Sequence, residues 1–405
     1  STSRHGAPDL AAPGAASLAC QHANHGSGQP GLALRRTLVD PVAGPAGSNT
    51  DALVQRPGPD NIGAAGSVND ASPSPALQAR WLWPVLITTT VVLFIASLKV
   101  GPAPLPLWDL ATGNAGPEAA TLALILAEIR LPRAILAVFV GGTLGLCGAV
   151  LQGLLRNPLA EPGLLGASSA SALGAVIVLY YGLGATFPLA LPIGGIAGAL
   201  LGIMLILFLA GRGARPSTLI LAGVAVNSLA GALTALALNL APSPFASLEI
   251  VFWMLGSLAD RSFEHVNIVL PFVLLGWPVL LTLRRPLEAL TLGEDVAASL
   301  GFDLRRLQLR VVLGTGLTVG ACVSVSGNIG FIGLMVPHLL RPWVGNHPGR
   351  LVAPSVLGGA ALLLGADLLT RSPVLGQELK LGVVTALLGA PLFLHLLWHL
   401  RKRLL

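Results

Sequence analysis

Apolar runs of 17 to 24 residues recur from Trp81 to the end of the chain, separated by short stretches of Arg, Asn, Pro and Gly. At about 1.5 Å of rise per residue, runs of this length cross the roughly 30 Å hydrocarbon layer of a bilayer as helices. The pattern predicts an all-α polytopic membrane protein with ten transmembrane helices, over 81–100, 133–154, 164–182, 188–210, 217–240, 266–283, 307–325, 329–345, 351–370 and 380–400. An even number of crossings puts both ends of the segment 80–405 on the same side. Two further segments are apolar but too short to cross. Ala241 to His265 holds a run that fits a short helix in the interface, anchored by Trp253. Arg284 to Arg306 contains LGEDVAASLG, about two helical turns, with Glu294 and Asp295 at the favourable N-terminal end, Val296, Ala297 and Leu300 on one face, and Gly301 as the stop.

Residues 1–79 lack this pattern. They are rich in Ala, Gly, Pro, Ser and Asn, show no helical or strand period, and are predicted to form a disordered low-complexity tail. No basic stretch followed by an apolar run precedes Cys20, so no cleaved signal is expected. His22 and His25, isolated in such a tail, do not make a metal site, and no metal or other cofactor is expected.

Composition agrees with the spans. With 53% apolar residues, 10% charged residues and a mean hydropathy of +0.76, the chain has too little charge to cover a soluble globule of this size. The net charge of +6 does not mark a nucleic-acid binder, because the basic residues are scattered through loops rather than clustered on a domain. Thirteen Lys and Arg fall on the side of the tail and six on the other, which places both termini in the cytoplasm.

The most informative stretch is RLPRAILAVFVGGTLGLCGAVLQGLLRNPLAEPGLLG, Arg130 to Gly166. Pro132 suits a first helical turn, so the second span is predicted to start there, with Arg130 and Arg133 at its exterior, electrostatically unfavourable end. Together with GNIGFIGLMVPHLLRPWVG at 327–345, ADLLTR at 366–371 and GVVTALLGAPLFLHLL at 382–397, this stretch resembles the permeases of the FecCD transport family, which serve importers of iron-siderophores, haem and vitamin B12. The resemblance covers residues from about 81 to 403. It implies a homodimer in the bacterial inner membrane that works with a separate cytoplasmic ATP-binding subunit and a periplasmic substrate-binding protein. It further implies that 292–301 is the coupling helix docking on the ATPase. Arg130, Arg133 and Arg371 would receive acidic side chains of the binding protein, and Ser217, Thr218 and Asn227 would lie along the translocation pathway.

The residues by themselves exclude a self-powered pump. A phosphate-binding loop needs a lysine after glycine, and none of Lys99, Lys380 and Lys402 follows one. No constellation for covalent or hydrolytic catalysis is visible, so no enzymatic activity is expected. An ion-coupled secondary transporter stands as an alternative, but it requires protonatable groups near mid-membrane, and the spans hold few. Among chelates the segment 252–263, FWMLGSLADRSF, is more similar to haem permeases than to cobalamin ones. Haem therefore ranks slightly above ferric siderophores and both above cobalamin.

Because residues 1–79 carry no periodic apolar positions, a chain starting near Arg80 is expected to insert and transport like the full chain. Uptake measured on the truncated protein checks this; normal insertion with lost transport would contradict it.

Overall fold

A computed structural model of the chain describes residues 75–101, 112, 119–185, 187, 189–211, 216–371 and 379–404. The expected tail up to residue 74 lies outside the described residues. Every regular element among the described residues is helical. In chain order the helices are α1 (Pro75–Lys99), α2 (Ala119–Leu155), α3 (Ala167–Tyr180), α4 (Ala190–Ala210), α5 (Pro216–Asn239), α6 (Pro244–Met254), α7 (Phe263–Leu281), α8 (Arg284–Leu290), α9 (Glu294–Ser299), α10 (Leu304–Ser326), α11 (Ile332–Leu340), α12 (Pro348–Thr370) and α13 (Leu381–Leu404). A helix lies under each of the ten predicted spans. Seven are long and apolar enough to cross a membrane: α1, α2, α4, α5, α7, α10 and α12. The 14 residues of α3 and the nine of α11 are shorter than a span requires. α11 is limited by Phe331, left-handed at φ 66°, on one side and by the 3₁₀ turn Arg341–Val344 on the other.

One predicted boundary is corrected. Helix α2 does not start at Pro132 but at Ala119, and it runs through a π-helical segment, Ile125–Arg130. Proline lacks an N–H, and its ring collides with the carbonyl four residues back in a regular α-helix, here that of Glu128. The π turn widens the ladder just ahead of it, with the Leu131 N–H bonded to Leu126 O, five residues back. Arg130 and Arg133 therefore sit inside a continuous helix, not at the positive end of one.

Helix starts follow local chemistry. Ser243 Oγ accepts from the Ala246 N–H ahead of Pro244, Ser262 and His265 form a capping box for α7, and Asp303 Oδ1 accepts from the Arg306 N–H to open α10. The bundle is then closed by small residues. α2 lies along α12 so closely that a Cβ on Gly141 would stand 2.3 Å from Gly359 O, and one on Gly359 would stand 2.0 Å from Gly141 O. Gly145 meets Ser355 O in the same way, and Gly148 meets Gly333 O at the head of α11. α3 and α4 cross through Gly174, Gly194 and Gly198, while α10 packs on α4 and α7. With lipid as apolar as leucine, such backbone approach supplies the attraction that the hydrophobic effect supplies in water.

A charged knot joins three helices at the other end of α2. Asp367, fully buried on α12, accepts from Arg133 Nε at 3.0 Å and Nη2 at 2.9 Å, and from Arg371 Nη2. Arg371 also donates to Ser97 Oγ at 2.8 Å and to the carbonyl of Ser97 at 3.0 Å. Arg130, only 4% exposed, donates to the carbonyls of Leu98 and Lys99 at 2.9 and 2.8 Å, and so satisfies the end of α1. Removing this carboxylate takes a charged partner from two guanidinium groups in a largely buried site. Asp367→Ala is therefore expected to destabilise the protein by roughly 3–5 kcal/mol, more than Arg133→Gln, which leaves Asp367 its Arg371 partner. Unfolding of both variants in detergent checks the order.

Candidate functional site

Two places in this frame carry the residues singled out in the sequence. The first is the peg between α7 and α10. α8 packs against α12 and is held by Arg284 Nε donating to Gly349 O at 3.3 Å, and three residues after Thr291 the six-residue α9 begins. Gly293 and Gly301 bracket it with φ values of 111° and 86°, which glycine adopts without a Cβ penalty. Glu294 lies 3.7 Å from Arg156 at the foot of α2, with both side chains about half exposed. Asp295 is exposed.

The structure splits the apolar face expected of this peg. Ala297 is fully buried and belongs to the main core, whereas Val296 and Leu300 are 42% and 59% exposed. Val296 stands one 100° helical step from Ala297, and Leu300 follows the last residue of α9 as its C-cap, where the regular helix has ended. Leu292, 65% exposed just before α9, joins them. The sequence reading included it only within the range 292–301. The outcome is an anchored helix with aliphatic side chains facing out.

The second place is α5. Ser217 is exposed, Thr218 half-buried and Asn227 exposed, while Leu219, Ala222, Val226 and Ala230 are buried against the neighbouring helices. The helix therefore has one packed side and one bare side carrying Leu221, Val224, Asn227 and Leu229. Asn227 is not isolated, because Ser169 Oγ on α3 donates to its Oδ1. Ser169 belongs to the SSAS run at 168–171, whose hydroxyls were visible in the sequence but whose partner, 58 residues on, was not. One turn earlier α5 crosses the turn 162–166: a Cβ on Gly223 would stand 2.3 Å from Leu164 O, and Gly166, at φ 70°, faces Gly223 O. Glu161 in the same turn has its carboxyl pushed up by burial, opposed by a hydrogen bond from the Phe331 backbone N–H. This turn thus touches α5, α11 and, through Arg156, the peg.

Arg130, Arg133 and Arg371, expected as docking cations, lie around Asp367 and the end of α1, and all three are largely covered. Arg133 is 12% exposed and Arg371 5%. The acid paired with Arg371 was legible from its four-residue spacing. The pairing with Arg133, 234 residues away, had no sequence signal.

Among the described residues no group of three His, Cys, Asp or Glu could hold a metal ion. Compared with known proteins, residues 89–399 match the model of the FecCD transport family. The hemin transport system permease protein HmuU of Yersinia pestis is 38% identical, over 81% of this chain and 98% of its own length. The vitamin B12 import system permease protein BtuC of Klebsiella pneumoniae is also 38% identical, over 80% of this chain and 95% of its own. A solved structure described as an inward-facing conformation of a putative metal-chelate type ABC transporter superposes with a TM-score of 0.70 at 31% identity, covering 79% of this chain and 99% of that one. The glycine-packed helices, the exposed peg and these matches agree: the chain belongs to the FecCD transport family, as a multi-pass membrane permease of an ABC transporter.

Proposed function

We propose that two copies of this chain form the pathway of an ATP-driven importer in the bacterial inner membrane, with ten helices per subunit and both termini in the cytoplasm. The observation that carries the reading is the peg, since α9 is anchored by Ala297 yet turns Leu292, Val296 and Leu300 outward. Aliphatic side chains on a short helix between arginine-bearing loops gain nothing from water and are suited to a groove on a cytoplasmic ATP-binding subunit. Glu294, Asp295 and Gly301 orient and end that helix. In this reading the bare side of α5, with Ser217, Thr218 and Asn227, lines the passage between the two copies. The knot of Arg130, Arg133 and Arg371 lies at the opposite end of α12 from the peg, where a periplasmic substrate-binding protein docks. Their burial supports a role in shaping the docking rim rather than offering free cations.

The cargo proposed is an iron chelate, haem before ferric siderophores, with cobalamin third; this order rests on residues 252–263. The curated relatives include permeases named for hemin and for vitamin B12 at equal identity. An ion-coupled carrier is disfavoured because Asp367, the fully buried acid, is committed to two guanidinium groups.

The test is uptake into proteoliposomes holding the permease, its ATPase and its binding protein. ATP-dependent accumulation of haem is expected, and Leu300→Glu is expected to uncouple hydrolysis from uptake while the membrane dimer still forms. Wild-type uptake with unaltered ATPase binding in that variant would overturn the peg assignment. Uptake driven by an ion gradient without the ATPase would overturn the importer reading.

A further inference from the structure

We propose that the cleft at the foot of α2 binds a phosphate-bearing anion. The cleft has a volume of about 280 Å³ and is lined by Gln152, Arg156, Asn157, Thr291, Arg341 and Asn346, with Ala149 and Leu351 behind them. At ~30 Å³ per water, that is room for a polyatomic group. Two other cavities of the molecule, between α1, α11, α12 and α13 and between α3, α4 and α5, have almost wholly aliphatic walls. This one instead offers two guanidinium groups, three side-chain amides and a hydroxyl.

The lining is arranged around a cation without a counterion. Arg341 is half-buried and donates from Nη2 to Gln152 Oε1 at 2.7 Å. Gln152 is fixed in turn, its Nε2 directed at the carbonyls of Gly333 and Leu334 at 3.4 and 3.5 Å. That bond uses one of the five N–H donors of Arg341, and among the described residues no carboxylate pairs with it or lines the cleft. The second guanidinium of the cleft, that of Arg156, meets Glu294 at 3.7 Å and half in solvent, a contact of little strength. A guanidinium stays charged at any relevant pH, and its planar fork matches two oxygens of a phosphate. An anion in the cleft would supply the charge that the protein omits.

The backbone around the cleft points the same way. Arg156 and Asn346, with φ of 47° and 63°, hold the left-handed conformation without being glycine. Both residues line the cleft, Arg156 as the C-cap of α2 and Asn346 as a residue type that tolerates this region. The cleft also lies where membrane helices end, between the last turn of α2 and the first of α12. Basic pockets between membrane helices on the cytoplasmic side take anionic headgroups. The same chemistry admits free phosphate.

The proposal is tested on the full chain, purified in detergent and stripped of lipid. Native mass spectrometry counts retained phosphatidylglycerol against phosphatidylcholine, and calorimetry follows inorganic phosphate and short-chain phosphatidylglycerol. Phosphatidylglycerol is expected to bind at least about tenfold more tightly than phosphatidylcholine, and Arg156→Gln and Arg341→Gln each to remove most of that preference. Arg341→Gln also frees Gln152, so Arg156→Gln, half-exposed and outside the helix core, carries the decision. A headgroup preference lost in Arg156→Gln identifies a lipid ligand. Binding of inorganic phosphate with the same dependence, and no lipid preference, identifies a free anion. Absence of both, or binding indifferent to Arg156→Gln, overturns the proposal. Neither substrate nor ATPase enters the experiment, so its failure leaves the importer reading untouched, and the reverse also holds.

Discussion

The contact on which the remaining structure depends is the backbone approach of α2 and α12. Gly141 and Gly145 face Gly359 and Ser355 with no room for a Cβ between them, and Gly148 seats the head of α11 against the same face. In a bilayer no water is released when apolar side chains meet, so close dispersion contact must hold the helices. The closeness also sets the register of the two helices. Arg133 on α2 falls opposite Asp367 on α12, and Gln152, near the other end of α2, reaches the first carbonyls of α11. A shift of one helical turn would break both at once.

The two ends of α2 differ in how they treat charge. At the Arg133 end every guanidinium has a designated acceptor: Asp367 for two of them, and the last carbonyls of α1 for Arg130. Enclosed charges of this kind cost desolvation and are kept where geometry must be unique. At the Arg156 end the guanidiniums line an open cleft beside a peg with exposed aliphatic side chains. A closed, ion-paired end and an open one suit a rigid rim and a surface made for partners. At this open end the turn 157–166 leaves α2 at Arg156 and meets α5 at Gly223.

Much of this was settled by the sequence. Runs of 17 to 24 apolar residues require helices in lipid whatever their neighbours, since backbone groups must be satisfied within the segment. The motifs at 130–166 and 327–345 sufficed to identify the family, and the acids Glu294 and Asp295 with Gly301 marked a short helix within LGEDVAASLG. Asp367 and Arg371 were legible as a pair because a helix brings residues four apart together. Tertiary structure decided what periodicity does not encode. It carried α2 straight through Pro132 by a π turn and gave Asp367 a second partner 234 residues away. It turned Ala297 inward while Leu300 faced out, paired Ser169 with Asn227, and set Arg341 on a cleft with a hydrogen bond to Gln152. Sequence spacing reports only what one helix does to itself, whereas each of these depends on which glycine lets which neighbour come within backbone contact.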